Sequence, residues 1–410
     1  MAAVPSSRPR RFPDGFVWGT ATAAHQIEGG NWNNDWWRFE HTPGSGCQEP
    51  SGDACDSWNR WSEDVDLVRN LGLGSYRFSL EWSRIEPEEG DWSVATLDHY
   101  ARWCDRLRER DIEPVVTFHH FTTPRWVADR GGWESDATVD RFASFVERAA
   151  AHLGADRIAR ACTINEPNIV SFCGWLLAAF PPGKSDKDLA REVGDRFVTA
   201  HRRAVEAFRG AVAGVPVGLT LSMAEWVAVG ETDDARAAAQ ARIDRTRALM
   251  EDRFLAATEG DDFLGVQTYS RERWGAEGRL GPEPGVEQLA MGYEYWPDAL
   301  EATLRRAWDC TGGRVPLLVT ENGIGTTDDA QRIRYLHHAL GGVLRCLDDG
   351  IDVRGYTCWS LLDNFEWAFG YGPRFGLVEV DRTTYARTPK ASARWLGSVA
   401  RNNALPASIP

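Results

Sequence analysis

Short apolar runs alternate with amphipathic stretches along nearly the whole chain, and this alternation restricts the possible folds more than any other feature. Eight of the apolar runs are typical of buried strands. They cover residues 16–23, 75–80, 113–118, 161–165, 215–221, 263–269, 317–320 and 353–360. Stretches between them repeat apolar residues at helical spacing, as at Val139, Phe142, Phe145, Val146, Ala149 and Leu153. Strands joined through helices pair in parallel, and eight such units close into a barrel, so the sequence predicts an α/β fold, a (β/α)8 TIM barrel.

The chain has 410 residues, which is long for one domain, but barrels of this kind reach such lengths once their loops are included. No interior linker, low-complexity block or short repeat divides it. We therefore predict a single domain over residues 12–398, with short tails at 1–11 and 399–410.

Composition excludes several classes of partner. The formal net charge is -14 and no basic tract is present, which argues against binding to nucleic acid or to an anionic membrane surface. The first residues carry positive charge without a following apolar segment, and no run approaches the length of a membrane span, so we expect a cytoplasmic protein. The eight cysteines form no CxxC pair and no metal-ligand spacing with histidine. We expect reduced thiols and neither a metal nor an organic cofactor.

Two glutamates follow two of the strand-like runs directly. Glu321 ends the run in LLVTENGIG, and Glu166 ends the run in ACTINEP. A single glutamate after a strand is usually a solvated surface residue. In a barrel, however, the carboxyl ends of all strands meet at one rim, where the active site lies. Two carboxyl groups at that rim can split a glycosidic bond, one attacking or activating water and the other donating a proton.

Further polar and aromatic residues stand at the other strand ends and predict one shared site. They are Gln26, Arg77, His119, His120, Asn165, Gln267, Tyr269 and Trp359. Each has an alternative structural interpretation. His119 and His120 are adjacent on a strand and must face opposite sides, so at least one of them packs away from the barrel interior. Arg77 is also compatible with a purely structural ion pair, and most of the 19 tryptophans are expected to serve packing.

Four motifs, each at a strand end, extend over most of the chain. They are FVWGTATAAHQIEG at 16–29, TINEP at 163–167, VTENG at 319–323 and WSLLDNFEWAFGYGPRFGLVEVD at 359–381. In these motifs and in their order the chain resembles glycoside hydrolase family 1, the retaining β-glucosidase and β-galactosidase family. The resemblance implies an exo-acting β-glycosidase that hydrolyses terminal β-glucosyl residues of small β-glucosides or oligosaccharides, tolerates β-fucosyl and β-galactosyl residues, and needs no cofactor.

The resemblance also implies residue roles. Glu166 would be the general acid/base and Glu321 the nucleophile, which would form a covalent glycosyl intermediate. Arg77 and Tyr269 match residues that hold the nucleophile. The sugar pocket would comprise Gln26, His120, Asn165, Tyr269, Trp359, Glu366 and Trp367. Within it, Asn165 would bind the sugar 2-OH, Trp359 would lie under the ring, and His120 rather than His119 would face inward.

One residue of this set separates branches of the family. Relatives that act on 6-phosphorylated sugars need a cationic pocket, and the carboxylate of Glu366 would repel the phosphate dianion. The plant thioglucosidase branch lacks the acid glutamate, whereas Glu166 is present here. Both observations favour an O-glycosidase for unphosphorylated sugars.

Some positions depart from the family pattern. The usual Asn-Tyr-Tyr after the sixth strand is Gln267, Thr268 and Tyr269, which makes the contact of the first side chain uncertain. His25 stands where tyrosine is frequent, and residues 121–123 are Phe-Thr-Thr instead of Trp-Asp-Leu. Five residues could line the mouth of the site or could simply pack in the barrel. They are Cys173, Trp175, Leu176, Met223 and Trp226.

Two alternative functions stay open from sequence. A transglycosidase would pass the glycosyl group to a sugar or alcohol instead of water. A barrel that only binds glycans or a protein partner would be expected to lack one carboxylate, and both are present. The natural aglycone and the oligomeric state do not follow from the sequence.

Overall fold

A closed barrel of eight parallel strands forms the centre of the protein in the computed structural model, which describes residues 9–409. The strands are β1 (Val17–Ala21), β2 (Ser75–Ser79), β3 (Glu113–His119), β4 (Arg160–Asn165), β5 (Val217–Ser222), β6 (Phe263–Thr268), β7 (Leu317–Asn322) and β8 (Val353–Trp359). They follow one another around the barrel in chain order, and β8 closes it by pairing in parallel with β1. The predicted (β/α)8 barrel is confirmed, and every predicted strand boundary lies within two residues of the observed one.

Helices surround the strands. The longer ones are α1 (Ser57–Leu71), α2 (Val94–Glu109), α3 (Ala137–Leu153), α4 (Lys187–Ala211), α5 (Asp233–Arg247), α6 (Ala299–Cys310), α7 (Asp329–Asp348) and α8 (Ala391–Asn402). A π-helical turn, Ala248–Asp252, and a short helix, Arg253–Ala257, continue α5. Shorter α-helices lie at Ala24–Ile27, Asp35–Glu40, Trp82–Ile85, Arg125–Asp129 and Pro167–Trp175, and 3-10 turns at Gly132–Glu134 and Trp367–Phe369.

Helix α3 illustrates why the predicted pattern folds in this way. Its apolar residues Val139, Phe142, Phe145 and Leu153 recur at spacings of three to eight and are all buried. Burial of each such side chain contributes roughly 1.5–3 kcal/mol relative to exposure. The helix ends at Gly154, whose φ of 76° is readily adopted by glycine.

The barrel interior contains a close contact that only a residue without a side chain permits. A Cβ atom on Gly265 of β6 would lie 2.6 Å from the side chains of both Thr220 and Thr320. Glycine at this position therefore lets the threonines of β5 and β7 approach from either side. Small side chains here leave room for longer ones, such as Arg77, to cross the interior nearer the rim.

Both chain ends pack onto the barrel. Residues Arg10–Arg11 pair antiparallel with Ala404–Leu405, and Asn403 donates hydrogen bonds to the carbonyl groups of Phe12 and Pro13. Val399 and Leu405 are buried because they carry apolar side chains against the barrel wall. Residues 10–11 and 399–405 thus belong to the packed structure, beyond the limits 12–398 that we predicted.

Two further small sheets lie outside the closed barrel. Strands Glu225–Ala228, Arg271–Gly275 and Gly278–Arg279 form a three-stranded sheet in the loops that follow β5 and β6, at the carboxyl-end rim. A second pair, Val378–Val380 and Arg387–Pro389, forms a hairpin after β8. Within residues 9–409 all eight cysteines are free thiols, and no helix there has the length and apolarity to cross a membrane.

Candidate active site

The two strand-end glutamates lie in one cavity of about 180 Å³ at the carboxyl-end rim. Glu321 is part of β7, whereas Glu166 follows β4 and caps the helix Pro167–Trp175. Glu166 has a left-handed backbone, with φ of 45° and ψ of 57°, and Pro167 occupies the first helical turn, where its missing N–H is tolerated. A non-glycine residue in this conformation costs roughly 1–3 kcal/mol.

The carboxylate oxygens of Glu321 each accept a hydrogen bond from a different donor. Arg77 Nη1 lies 2.6 Å from one carboxylate oxygen, and the Tyr269 hydroxyl lies 2.6 Å from the other. Burial and the charge of Glu321 raise the pKa of Tyr269 well above its ordinary value, so the phenol stays protonated and donates. Arg77 is itself 1% exposed and spans the barrel interior.

Glu166 has the opposite surroundings. Its Oε1 atom is buried and has no hydrogen-bond partner in the described chain. Burial, followed by the negative charge of Glu321, raises the pKa of Glu166 well above the ordinary carboxyl value. A hydrogen bond with Ser222 and the charge of Arg77 oppose this rise but are smaller. The surroundings of Glu166 therefore favour its protonated form.

Asn165 connects the two halves of the site. Its Oδ1 atom accepts hydrogen bonds from Arg77 Nη2 at 2.5 Å and from Gln267 Nε2 at 3.1 Å, and its Nδ2 atom donates to His120 Nε2 at 3.2 Å. This contact assigns the His120 proton to Nδ1, which has no partner in the described chain. Burial, and next the charge of Arg77, lower the pKa of His120 well below its usual range, so the ring is neutral.

The far side of the pocket is formed by Glu366 and two tryptophans. The ring of His120 is nearly parallel to Trp359 and Trp367, at interplanar angles of 19° and 14°. Glu366 Oε2 lies 3.5 Å from Gln26 Nε2, which also donates to the Phe365 carbonyl at 2.7 Å. Burial and the charge of Glu321 raise the pKa of Glu366 to about 8, against the hydrogen bonds of Trp359 and Gln26.

The structure brings the predicted residues together. Eight of the ten line the cavity, namely His120, Asn165, Glu166, Tyr269, Glu321, Trp359, Glu366 and Trp367. The remaining two, Arg77 and Gln26, lie behind Glu321 and Glu366 and contact them directly. His119 packs outward against Trp133, as expected for a neighbour of an inward His120, and burial lowers the pKa of His119 to about 3.

Sequence reasoning missed several apolar residues of the pocket wall. They are Ile169, Phe180, Met291, Tyr293, Ala368, Phe369 and Phe375, together with Phe121, which was noted only as a departure from the family pattern. All lie in loops or short helices rather than at the end of a barrel strand. A local signal existed for Phe121, which directly follows His120, and for Ala368, Phe369 and Phe375, which lie in the motif at 359–381.

A larger cavity of about 800 Å³ adjoins this pocket, and we call it the side cavity. It shares Ile169, Ser222, Tyr269 and Tyr293 with the small pocket and is otherwise lined by residues between 168 and 293. Of the five residues considered for the mouth of the site, Cys173, Leu176, Met223 and Trp226 line it. Trp175 does not; it is buried and donates a hydrogen bond to Glu134 at 2.8 Å.

This geometry supports acid/base and nucleophilic chemistry on a small polar substrate. One carboxyl group accepts hydrogen bonds from a cation and a phenol, and burial favours the protonated form of its neighbour, which separates the two roles that bond cleavage requires. A cavity of about 180 Å³ is smaller than the roughly 300–1,000 Å³ typical of drug-sized ligand sites and matches a single ring. No group of three or more metal-ligating side chains that could hold a metal ion is present between residues 9 and 409.

Comparison with known proteins gives consistent matches along the chain. The model of Glycosyl hydrolase family 1 matches residues 8–258 and 264–405. The thermostable β-glucosidase B of Thermobispora bispora is 37% identical, over 96% of this chain and 91% of that protein. The bifunctional β-D-glucosidase/β-D-fucosidase of Bifidobacterium breve is 34% identical, over 94% of this chain and 97% of its own. A crystal structure of a β-glycosidase superposes with a TM-score of 0.88 at 46% identity, over 97% of this chain and 99% of the other.

Proposed function

The chain belongs to glycosyl hydrolase family 1 and is a glycosidase, and from this premise we propose that it is a retaining exo-β-glycosidase that releases terminal β-D-glucosyl residues. We place the activity in one catalytic domain formed by the barrel. The observation that carries the proposal is that two carboxyl groups in one small pocket have different surroundings. Glu321 accepts hydrogen bonds from Arg77 and Tyr269, while Glu166 is buried, which raises its pKa and favours its protonated form.

In the first step the Glu321 carboxylate attacks the anomeric carbon. A bond forms between that carbon and a glutamate oxygen as the bond to the leaving oxygen breaks, and Glu166 transfers its proton to the leaving oxygen. The product is a covalent glycosyl-Glu321 ester plus a free alcohol. Retaining enzymes need the two carboxyl groups roughly 5–5.5 Å apart for this exchange.

In the second step Glu166, now ionised, acts as a base. It accepts a proton from water while the water oxygen attacks the anomeric carbon and Glu321 departs as a carboxylate. Both residues return to their starting protonation states, and two inversions give net retention. Arg77 and Tyr269 hold the nucleophile in place and stabilise its charge each time it is released.

The remaining polar groups bind the sugar. Asn165 and His120 face one side of the ring and Glu366 with Gln26 the other, and Trp359 offers an apolar face for stacking. One carboxylate that bridges the 4-OH and 6-OH can accept either 4-OH orientation, so we expect β-galactosides and β-fucosides to be cleaved as well. The bifunctional relative from Bifidobacterium breve supports the β-fucosidase activity.

Chemical rescue tests the two roles. We would assay p-nitrophenyl β-glucoside, β-galactoside, β-fucoside and 6-phospho-β-glucoside with wild type, Glu321→Ala and Glu166→Ala, each with and without azide. Glu147→Ala, on the exposed face of α3, is the matched control. Wild type and the control should cleave the three unphosphorylated substrates, and Glu321→Ala should be nearly inactive.

The stereochemistry of the azide products distinguishes the residues. Azide should give an α-glycosyl azide with Glu321→Ala, because it replaces the nucleophile, and a β-glycosyl azide with Glu166→Ala, because it intercepts the covalent intermediate. Wild type that is inactive on all four substrates, or the reverse assignment of the two azides, would refute the proposal. Added methanol in the wild-type assay measures the competing transglycosidase reaction directly, as methyl glycoside formed per sugar released.

A further inference from the structure

The side cavity lies on the acid side of the small pocket. Ser222 and Ile169 line both cavities, and Ile169 is only three residues after Glu166. In the proposed mechanism Glu166 protonates the leaving oxygen, so the group attached to that oxygen must extend past Glu166. The side cavity is therefore placed to receive the leaving group of the substrate.

This cavity is cationic although the protein as a whole is acidic. Seven lysine and arginine side chains line it against two glutamates, while the whole chain carries a formal charge of -14. Both glutamates already have cationic partners: Glu251 accepts a hydrogen bond from Arg306 at 2.8 Å, and Glu272 pairs with Arg279. The two glutamates of the lining therefore do not balance its seven cations.

Three of the cations have no carboxylate within 4.0 Å between residues 9 and 409. They are Lys187, Arg242 and Arg245, whereas the other four pair with aspartate or glutamate. Arg242 and Arg245 are three residues apart on α5 and so project from one face of the helix. The Nε atom of Arg242 donates to the Ala276 carbonyl, which fixes that side chain toward the three-stranded sheet.

The rest of the lining suits a flat, partly polar group. Trp226 and Trp274 lie side by side with ring centroids 5.8 Å apart. Several polar atoms among the lining residues are buried without a hydrogen-bond partner in the described chain. They are Asn168 Oδ1, Trp274 Nε1, Tyr293 OH and Arg253 Nε. The lining therefore combines two indole rings with polar side chains such as Asn168, Arg253 and Tyr293.

We propose that the side cavity binds the leaving group and selects aromatic leaving groups that carry a carboxylate, with Arg242 and Arg245 as the residues that hold the anion. The inference rests on the proposed β-glycosidase activity, because only a bound glycoside would place its leaving group there. Guanidinium groups bind carboxylates through paired hydrogen bonds, and indole rings offer apolar faces to a planar aromatic group.

A pair of substrates that differ in charge but little in shape tests this proposal. The β-glucosides of 7-hydroxycoumarin-3-carboxylic acid and of its 3-carboxamide have the same ring system and nearly the same size. We would measure kcat/KM for both with wild type, Arg242→Gln, Arg245→Gln and the double variant. Arg354→Gln is the control, because Arg354 is exposed near the opposite, amino end of β8.

Wild type should prefer the carboxylate by about 10-fold, the effect expected of one charge-assisted hydrogen bond. The preference should fall toward unity in the double variant and stay unchanged in Arg354→Gln. Because the readout is a ratio of two kcat/KM values, a general loss of activity in a variant cancels. Raising the salt concentration should reduce the preference, since the arginines are partly exposed.

A binding experiment separates this inference from the activity on which it rests. The free 7-hydroxycoumarin-3-carboxylate is titrated into wild type and the double variant, with the fluorescence of the tryptophans as signal. Binding that weakens about 10-fold in the double variant supports the cavity's role even without turnover. The proposal would be overturned if wild type had equal kcat/KM for the two glucosides, or if both proteins bound the free acid equally well. Lack of turnover on both glucosides would instead count against the β-glycosidase activity itself.

Discussion

The surroundings of Glu321 and of Glu166 differ more than their similar positions at strand ends suggest. Glu321 accepts hydrogen bonds from Arg77 and Tyr269 at 2.6 Å each. Glu166 has a buried oxygen with no partner in the described chain, and burial raises its pKa. One region of the pocket thus stabilises a negative charge, and the other favours a retained proton.

The difference follows from backbone position. Glu321 lies within β7, so its side chain meets residues from other strands, Arg77 of β2 and Tyr269 just after β6. Glu166 lies one residue beyond β4, in a left-handed turn that opens a helix. Moving a carboxyl group past the end of the strand removes it from the side chains that cross the barrel interior. Two glutamates can therefore take different protonation states without any difference in their own chemistry.

Replacing Arg77 by methionine should have the largest effect on this comparison. The change leaves Glu321 as a buried charge without its cation, a loss that typically amounts to about 3–5 kcal/mol. We expect kcat/KM on p-nitrophenyl β-glucoside to fall by about 10²–10³-fold, together with a lower Tm. Arg332→Met, at a similarly buried arginine paired with Asp329, should lower the Tm with a much smaller loss of activity. If Arg77→Met keeps activity within fivefold of wild type, the cation does not stabilise Glu321 as described.

Replacing Tyr269 by phenylalanine should have the next largest effect. It removes one hydrogen bond to a charged group, an interaction that contributes about 1.5–3 kcal/mol. The expected result is a decrease of about 10–100-fold in kcat/KM with little change in fold, because the ring still packs near Phe375. Tyr100→Phe is a matched control, since Tyr100 donates to the buried carboxylate of Glu28 outside the pocket. An equal activity loss in both variants would show that the Tyr269 effect is only structural.

Much of this site followed from the sequence because strand ends are local features. Adjacent residues on a strand face opposite sides, so only one of His119 and His120 could face inward, and the family resemblance indicated His120. The barrel rule brought Glu166 and Glu321 to one rim. The contact that Gln267 makes with Asn165 could not be predicted from the sequence. Its longer side chain reaches Asn165 at 3.1 Å, and only the three-dimensional arrangement of β4 and β6 sets that distance.

The side cavity could not be predicted for a related reason. It is bounded by α5, the helix Pro167–Trp175 and the three-stranded sheet, elements that belong to different loops. From the sequence alone, a cation such as Arg245 on a helix indicates only an ordinary solvated face. Whether they line a cavity depends on how the loops pack against one another, and a hydrophobic periodicity does not encode that packing. The fixed strand ends are thus predictable, and the surfaces contributed by loops are not.

A third change is measured through the titration of Glu166 and tests whether the two carboxyl groups influence each other. Glu321→Gln removes a negative charge with almost no change in shape. The charge of Glu321 is the second cause, after burial, that raises the pKa of Glu166. We therefore expect the pKa of Glu166 to be lower in Glu321→Gln than in wild type, yet still above the ordinary carboxyl value, because the burial is unchanged.

NMR of protein labelled with ¹³C at the glutamate carboxyl carbon measures this shift, and the Glu166→Gln spectrum identifies the signal. The comparison is between the apparent pKa values of Glu166 in the two proteins. The sign follows from electrostatics: a neutral amide no longer opposes ionisation of Glu166, so the proton leaves at lower pH. An unchanged titration would mean that burial alone keeps Glu166 protonated. The contrast between the two glutamates would then arise from two independent environments rather than from their interaction across the pocket.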